Sequence, residues 1–519
     1  MPRSMPAGFR KLVLTALALI AGVTISACGQ AGSLGLLGAG SQAHSQRHSS
    51  AGSSAPSRGG PSLTVQSGVI GPSMPNGFVG LSMEYRGLEA YLGRNPAALS
   101  PPFVQLLRNL APAQRFVLRI GGDSSDWTWY PIAHVLRPGG VRYSLDPTWV
   151  RVARSLAQKL DARLILGINL EANSLRVASG EARALLGVGA SHVTALELGN
   201  EPELYGSFNW YRTPGGVGVK GRPRGYAFAN YLQDFSSFAH VLPPVPLAGP
   251  SVGGPEYEAH LGSFVHAEPR VRLVTLHAYP LKHCTRSTIV TPAQLLASSA
   301  SAGLANSLAS YVGIAHRHRV GLRIDELNAV SCGGTRGVSN AFVSSLWMLN
   351  TLFELARVGV DGINVHTVPG TINEVIGSSQ VHGRWEAKVH PEYYGMMMFA
   401  QAAPPGSRLL RISSASAPGI ESWATRAPDR HVRVVLINRT NKRATVGLRV
   451  AGQSGPASLE RLQAPRLTAE AGVTLGGQSF GTQTSTGVLV GRPRSESVTP
   501  RAGRYPVVVP GNSAVLLTF

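Results

Sequence analysis

From about residue 75 to 400 the chain repeats one pattern: a short apolar run, a polar or glycine-rich stretch, then a longer segment with helical spacing. That alternation constrains the fold more than any other feature, because parallel strands must be joined by crossovers and the crossovers are usually helices. The runs are Gly77–Met83, Arg115–Ile120, Arg163–Ile168, Val193–Leu198, Pro246–Gly249, Arg272–His277, Leu322–Asp325 and Gly362–His366. Between them, apolar spacing predicts helices over Pro147–Leu160 and Val338–Ala356, and one or two more within Pro292–Arg317.

The polar residues decide the sheet topology. They follow nearly every run: Glu84-Tyr85, Gly121-Gly122-Asp123, Asn169 to Glu171, Asn200-Glu201, Ser251 to Gly253, His277 to Tyr279, and Glu326. A doubly wound sheet gathers its ligand contacts near one switch point, whereas a closed barrel collects them from all its strand ends on one rim. The pattern therefore predicts an α/β chain with a (β/α)8 barrel over residues 63–403. From 404 to 519 the spacing shortens to alternating strands with Gly, Pro, Asn and Thr turns, which predicts an antiparallel β-sandwich, with residues 61–69 as candidates to complete it.

Residues 1–28 read as an export signal, Arg10-Lys11 preceding an apolar run from Leu12 to Ile25 that is too short for a comfortable membrane span. The run ends Ile25-Ser26-Ala27-Cys28, which resembles a bacterial lipobox and implies a lipid on Cys28; a plain secretion signal is the alternative. Residues 29–62 are Gly-, Ser- and Ala-rich and cannot bury enough apolar surface to fold, so they read as a disordered spacer. The expectation is an exported protein, membrane-anchored through lipid at the cell surface or else secreted.

The formal net charge is +21, from 48 basic and 27 acidic residues. Such a field attracts acidic polysaccharide or anionic headgroups, though an Arg-biased composition without a patch gives the same total. No zinc finger, helix-turn-helix or aromatic-basic ladder is present, so nucleic acid is not an expected partner. Two dispersed cysteines and scattered histidines lack metal-site spacing, and no metal or cofactor is expected.

Two glutamates carry the chemistry. Glu201 closes Leu198-Gly199-Asn200-Glu201-Pro202 after the fourth run, and Glu326 closes Leu322-Arg323-Ile324-Asp325-Glu326 after the seventh. Carboxyl groups on nonadjacent barrel strands can flank a glycosidic bond, one protonating the leaving oxygen and the other attacking the anomeric carbon. With Arg119-Ile120-Gly121-Gly122, these segments make the chain from about Phe78 to its C-terminus resemble glycoside hydrolase family 79, which includes β-glucuronidases and heparanase-like enzymes.

The resemblance implies that Glu201 is the acid/base, which must hold its proton near neutral pH, that Glu326 is the nucleophile, and that Asn200 donates to the sugar 2-hydroxyl. It places sugar contacts at Glu84, Asp123, Asp126 and His366, and has His277 and Tyr279 orienting Glu326 or lining the pocket. Trp127 and Trp129 are candidates for stacking on a sugar face. Family glucuronidases present a tyrosine and glycine amides to the uronate carboxylate; here the loop reads Val330-Ser331-Cys332-Gly333-Gly334, with Gly333 and Gly334 as amide donors and Ser331 where the tyrosine is expected. Tyr393 or Tyr394 would be replacement donors. The expected substrate is a terminal β-linked glucuronide on an oligosaccharide or glycoconjugate. A neutral sugar, internal cleavage of a glycosaminoglycan, transglycosylation, and a surface protein that only binds carbohydrate remain open.

Apart from Cys28, the cysteines are Cys284 and Cys332, in the loops after runs six and seven. Adjacent barrel loops in an oxidising compartment allow a disulfide, expected to pin the loop beside Glu326.

Overall fold

A computed structural model describes residues 61–519 except 113, 286, 415 and 416. The export signal, Cys28 and nearly all of the spacer lie outside the described residues. Eight parallel strands close into a barrel: β1 (Val79–Met83), β2 (Val117–Ile120), β3 (Arg163–Ile168), β4 (Val193–Leu198), β5 (Leu247–Val252), β6 (Val271–Ala278), β7 (Gly321–Leu327) and β8 (Gly362–Thr367), with β8 pairing back onto β1. Each of the eight predicted runs overlaps one of these strands. Inward and outward faces are both covered, so the strands are almost continuously buried, as parallel strands between a filled interior and a helical shell must be.

The helix Pro147–Leu160 shows how local sequence fixes the shell. Asp146 caps it by accepting from the Trp149 amide at 2.8 Å, Pro147 occupies the first turn, and Asp161 ends it in the left-handed region at φ 45°. Such a cap contributes about 1 kcal/mol. Trp149, Val152, Ala153 and Leu156 lie on the buried face, and the Trp149 indole donates to the Tyr85 carbonyl at 3.0 Å. The helix predicted from Val338 starts at Phe342. Its first amides, on Phe342 and Val343, donate to the carbonyls of Ala469 and Leu467 in the C-terminal domain, and the residues before it form a turn closed by the Ser339 and Asn340 side chains.

Beyond the helix Pro391–Ala402, nine strands and the strand Ser62–Ser73 ahead of the barrel form a ten-stranded, mostly antiparallel sheet. Period-two alternation gives this sheet two apolar faces. Val434, Leu436, Val515 and Leu517 enter the domain's own core, while Val435, Ile437, Ala514 and Leu516 pack with the barrel's core. Between sheet and barrel lie the helices Phe342–Arg357 and Pro391–Ala402, buried nearly all round. Trp423 stacks on Phe353 with centroids 5.3 Å apart and donates to Asn350 Oδ1 at 2.8 Å. A junction this apolar holds the two parts as one body. Among the described residues no helix is long and apolar enough to cross a membrane.

Candidate active site

The ends of β1, β2, β4, β6, β7 and β8 bring their polar residues to one rim. At the centre lies Arg119, which β2 places inside the barrel with no solvent exposure. A guanidinium there must satisfy its donors within the protein. Its Nε donates to Glu197 Oε2 at 2.7 Å, its Nη1 to Glu326 Oε2 at 2.8 Å, and its Nη2 to Asn200 Oδ1 at 2.9 Å and Ser251 Oγ at 3.0 Å. One side chain thus ties β2, β4, β5 and β7 together directly beneath both glutamates.

Glu326 is held on both oxygens. Oε2 takes the Arg119 bond, and Oε1 accepts the Tyr279 hydroxyl at 2.6 Å. His366 Nδ1 lies 3.8 Å and His277 Nε2 4.0 Å from Oε2. Burial alone would raise the Glu326 pKa, but His366, His277, Arg119 and the Tyr279 bond outweigh it and hold the carboxyl well below the usual range. Glu326 is therefore ionised at neutral pH, the state a nucleophile needs.

Glu201 stands in the left-handed region at φ 46°, ψ 54°, its amide donating to the Ser251 carbonyl at 2.8 Å. A non-glycine residue in that region costs about 1–2 kcal/mol, offset here by the surrounding contacts. His277 Nδ1 lies 2.9 Å from Glu201 Oε1 and His277 Nε2 is 3.2 Å from Ser251 Oγ. Burial would lower the His277 pKa, but Glu326, Asp325 and Glu201 push it up to about 10, so the ring is a cation donating from Nδ1 to Glu201. That bond engages Oε1, and the Glu201 side chain keeps 26% of its surface exposed. One oxygen of Glu201, one of Glu326 and a His277 ring nitrogen all lie within 4.8 Å of one another. Three such ligand atoms can hold an ion, yet the guanidinium already bonded to Glu326 opposes a second cation there, and no metal role is assigned.

Glu84, Asp123 and His366 form the neighbouring wall. Glu84 Oε2 accepts the Ser124 amide at 2.8 Å, His366 Nε2 lies 3.5 Å from Glu84 Oε1, and Asn200 Nδ2 donates to Asp123 Oδ1 at 3.3 Å. Asp123 is accessible at the mouth but recessed among acids. Desolvation and the charges of Glu84, Glu201 and Glu326 push it up to about 8.

Several expected contacts fall elsewhere. Asp126 is buried, and its oxygens accept the amides of Leu170, Glu171 and Asn200 and the Tyr205 hydroxyl, at 2.6–3.1 Å; it clamps the loops after β3 and β4 and has no lone pair facing a sugar. Tyr393 and Tyr394 are buried on the helix after β8, bonded to the Leu106 carbonyl and the Phe480 amide, so neither replaces the missing tyrosine. Trp129 is buried with its indole bonded to Ser144, while Trp127 carries the Arg142 guanidinium 3.9 Å above its ring. Gly334 is buried and turns its amide toward the Ser331 carbonyl at 3.5 Å, and a Cβ on it would meet Asn373 Oδ1 at 2.2 Å; Gly333 is exposed with open space around it. Cys284 and Cys332 are disulfide-bonded, and beside them Leu281–Lys282 pairs in parallel with Val330–Ser331, joining the loops after β6 and β7.

Arg119, Glu197 and Asp325 carry no site assignment in the sequence alone. All three are charged residues inside otherwise apolar strands. That incongruity was the available signal, since such a residue must find a buried partner.

Comparison with known proteins adds to this geometry. Residues 422–516 match the glycosyl hydrolase family 79 C-terminal beta domain. No curated protein sequence matches the chain. Among solved structures, a 4-O-α-L-rhamnosyl-β-D-glucuronidase from Fusarium oxysporum 12S, in complex with Rha-GlcA, superposes with a TM-score of 0.67 at 20% identity, covering 88% of this chain and 100% of that one. A family 51 arabinofuranosidase from Xanthomonas axonopodis pv. citri superposes with a TM-score of 0.62 at 14% identity over 88% of this chain and 99% of its own. A Bifidobacterium longum family 51 α-L-arabinofuranosidase gives 0.61 at 14% identity, with the same coverage of both chains. At these identities the likeness establishes the shared fold, a barrel with an appended β-domain.

Proposed function

We propose that the protein is a retaining β-glycoside hydrolase whose sugar is a terminal β-linked glucuronic acid. The observation that carries the mechanism is the approach of Glu201 and Glu326, whose oxygens come within 4.8 Å. Retaining enzymes hold their carboxyl groups about 5–5.5 Å apart and inverting ones about 6.5–9.5 Å, the extra room being needed for water. Glu326 attacks the anomeric carbon while Glu201 gives its proton to the departing oxygen; Glu201 then takes a proton from the water that releases the sugar. Tyr279 and Arg119 fix the nucleophile's two oxygens, and Asn200, Glu84, Asp123 and His366 are the hydroxyl-binding wall.

Glucuronate is supported by the match of the C-terminal domain and by the sugar of the Fusarium enzyme. A neutral β-glycoside is the second reading. Ser331 stands where the resemblance expects a tyrosine, and the wall holds Glu84 and Asp123, which repel a sugar carboxylate when ionised. Hydrolysis of a matched aryl β-glucuronide and aryl β-glucoside by the protein and its Glu326→Gln variant separates the two. Preference for the glucuronide, abolished in the variant, supports the first reading; preference for the glucoside moves the same mechanism to neutral sugars. No turnover of either pair member, with sugar binding intact, would leave a binding protein.

A further inference from the structure

Beneath the two glutamates, Glu197 on β4 and Asp325 on β7 point into the barrel with no solvent exposure. Both approach the same N–H. Arg119 Nε lies 2.7 Å from Glu197 Oε2, and Asp325 Oδ2 is 3.1 Å from it in ion-pair contact only. The two carboxyl groups thus converge on one guanidinium nitrogen. Yet Glu197 Oε1 and both Asp325 oxygens find no donor among the described residues. His277 Nε2, the other nearby cation, is 3.8 Å from Asp325 Oδ2, too far for a hydrogen bond.

Two ionised carboxylates converging in a dry interior repel strongly, and buried oxygens without a donor carry a further desolvation cost. A single proton between them removes both penalties, since it turns repulsion into a hydrogen bond and supplies the missing donor. We propose that Glu197 and Asp325 share one proton and act as a single anion that positions Arg119 under the nucleophile. Desolvation and mutual repulsion raise Asp325 well above the usual range, while Arg119 outweighs the burial of Glu197 and holds it low, in keeping with a proton that resides mainly on Asp325.

The role of the pair follows from the double displacement and rests on the proposed glycosidase reading. As a Glu326 oxygen bonds to the anomeric carbon, the bond to the leaving oxygen breaks and that oxygen takes the Glu201 proton. Glu326 thereby loses its charge as it becomes an ester. Arg119, bonded to Glu326 at one end and to the carboxyl pair at the other, then keeps the pair as its fixed counter-ion. The guanidinium stays in place to receive the carboxylate when water releases the sugar. Glu197 and Asp325 are thus positioning residues that never touch substrate.

The test uses Glu197→Gln, Asp325→Asn and the double variant. Either single amide keeps one negative charge and one donor between the side chains; the double removes the charge. Infrared difference spectra of the parent protein against each single variant, in H2O and D2O at neutral pH, should contain the carbonyl stretch of a protonated carboxyl group that disappears in both. Absence of that band from either difference spectrum overturns the shared proton, whatever the activity. For kcat/KM on an aryl glycoside, the double variant should lose at least ~100-fold more than the product of the two single losses, because only it leaves a buried guanidinium short of a counter-ion. Additive losses would overturn the positioning role. Should no glycoside be turned over while the band behaves as expected, the glycosidase reading fails and the shared proton stands.

Discussion

The Tyr279 hydroxyl donates to Oε1 of Glu326 at 2.6 Å, opposite the Arg119 bond to Oε2. A carboxylate clamped from both sides cannot rotate about its last torsion, so the attacking oxygen is fixed before substrate arrives. Tyr279→Phe removes one clamp without leaving a buried donor behind. A hydrogen bond to a charged group contributes about 1.5–3 kcal/mol, so kcat/KM should fall roughly 10- to 150-fold, mostly in kcat. Steady-state kinetics on an aryl glycoside check this, and a change confined to KM would assign Tyr279 to sugar binding instead.

Glu201 and Glu326 should fail differently. Glu201→Ala removes the proton donor, so substrates with poor leaving groups should slow by about 100- to 10,000-fold while an activated aryl leaving group departs with little loss. Added azide should then rescue release of the intermediate and give a glycosyl azide of retained configuration. Glu326→Gln has no such rescue, because no intermediate forms. Inverted configuration of the product, read by NMR of early hydrolysate, would contradict the retaining mechanism.

How much of this was legible beforehand varies with the physics. The eight strands were, because a parallel strand buried on both faces must be an apolar run and its crossover must be long. The rim was legible too, since Glu201, Glu326, His277 and Tyr279 each lie at or just past the end of such a run. The network beneath it was not. Arg119, Glu197 and Asp325 face one another only after closure brings β2, β4 and β7 around a common axis, and nothing local encodes that meeting. Asp126 misled for the opposite reason: it follows β2 as a sugar ligand would, but neighbouring amides from the β3 and β4 loops arrive first and use its lone pairs.

His277 links activity to pH-dependent stability. Its folded pKa is raised from 6.5 to about 10 by the carboxylates around it. The folded state therefore binds the proton more tightly than the unfolded one, and the stability this contributes is fully present below about pH 6.5 and lost as the pH rises through 10. The melting temperature should decline across that window, and His277→Asn should flatten the decline while lowering stability at pH 6. Parallel melting curves for the two proteins across the window would contradict the assignment.

The Cys284–Cys332 bond spans 48 residues of sequence and joins the loop that follows Tyr279 to the loop that follows Glu326. A cross-link of that span constrains the unfolded chain and contributes about 2–4 kcal/mol. Cys332→Ala should lower the melting temperature measurably, and the parent protein should match it under reductant. Thiol labelling of the unreduced folded protein should find neither cysteine free.

Gly122 sets the spacing of the hydroxyl-binding wall. It sits at φ 77°, and a Cβ there would lie 2.6 Å from Glu84 Oε1 and 3.1 Å from the His366 ring. Gly122→Ala would thus combine a left-handed backbone penalty of about 1–2 kcal/mol with displacement of Glu84 from His366. Glu326 and Tyr279 belong to other strands, and Arg119, three residues earlier on β2, is held by its own bonds to Glu197, Asn200 and Ser251, so the nucleophile and its clamps stay in place. The expected signature is a KM raised by more than kcat is lowered, with a few degrees off the melting temperature. An equal fall in kcat and kcat/KM at unchanged KM would instead place Glu84 and His366 among the groups that act only in the transition state.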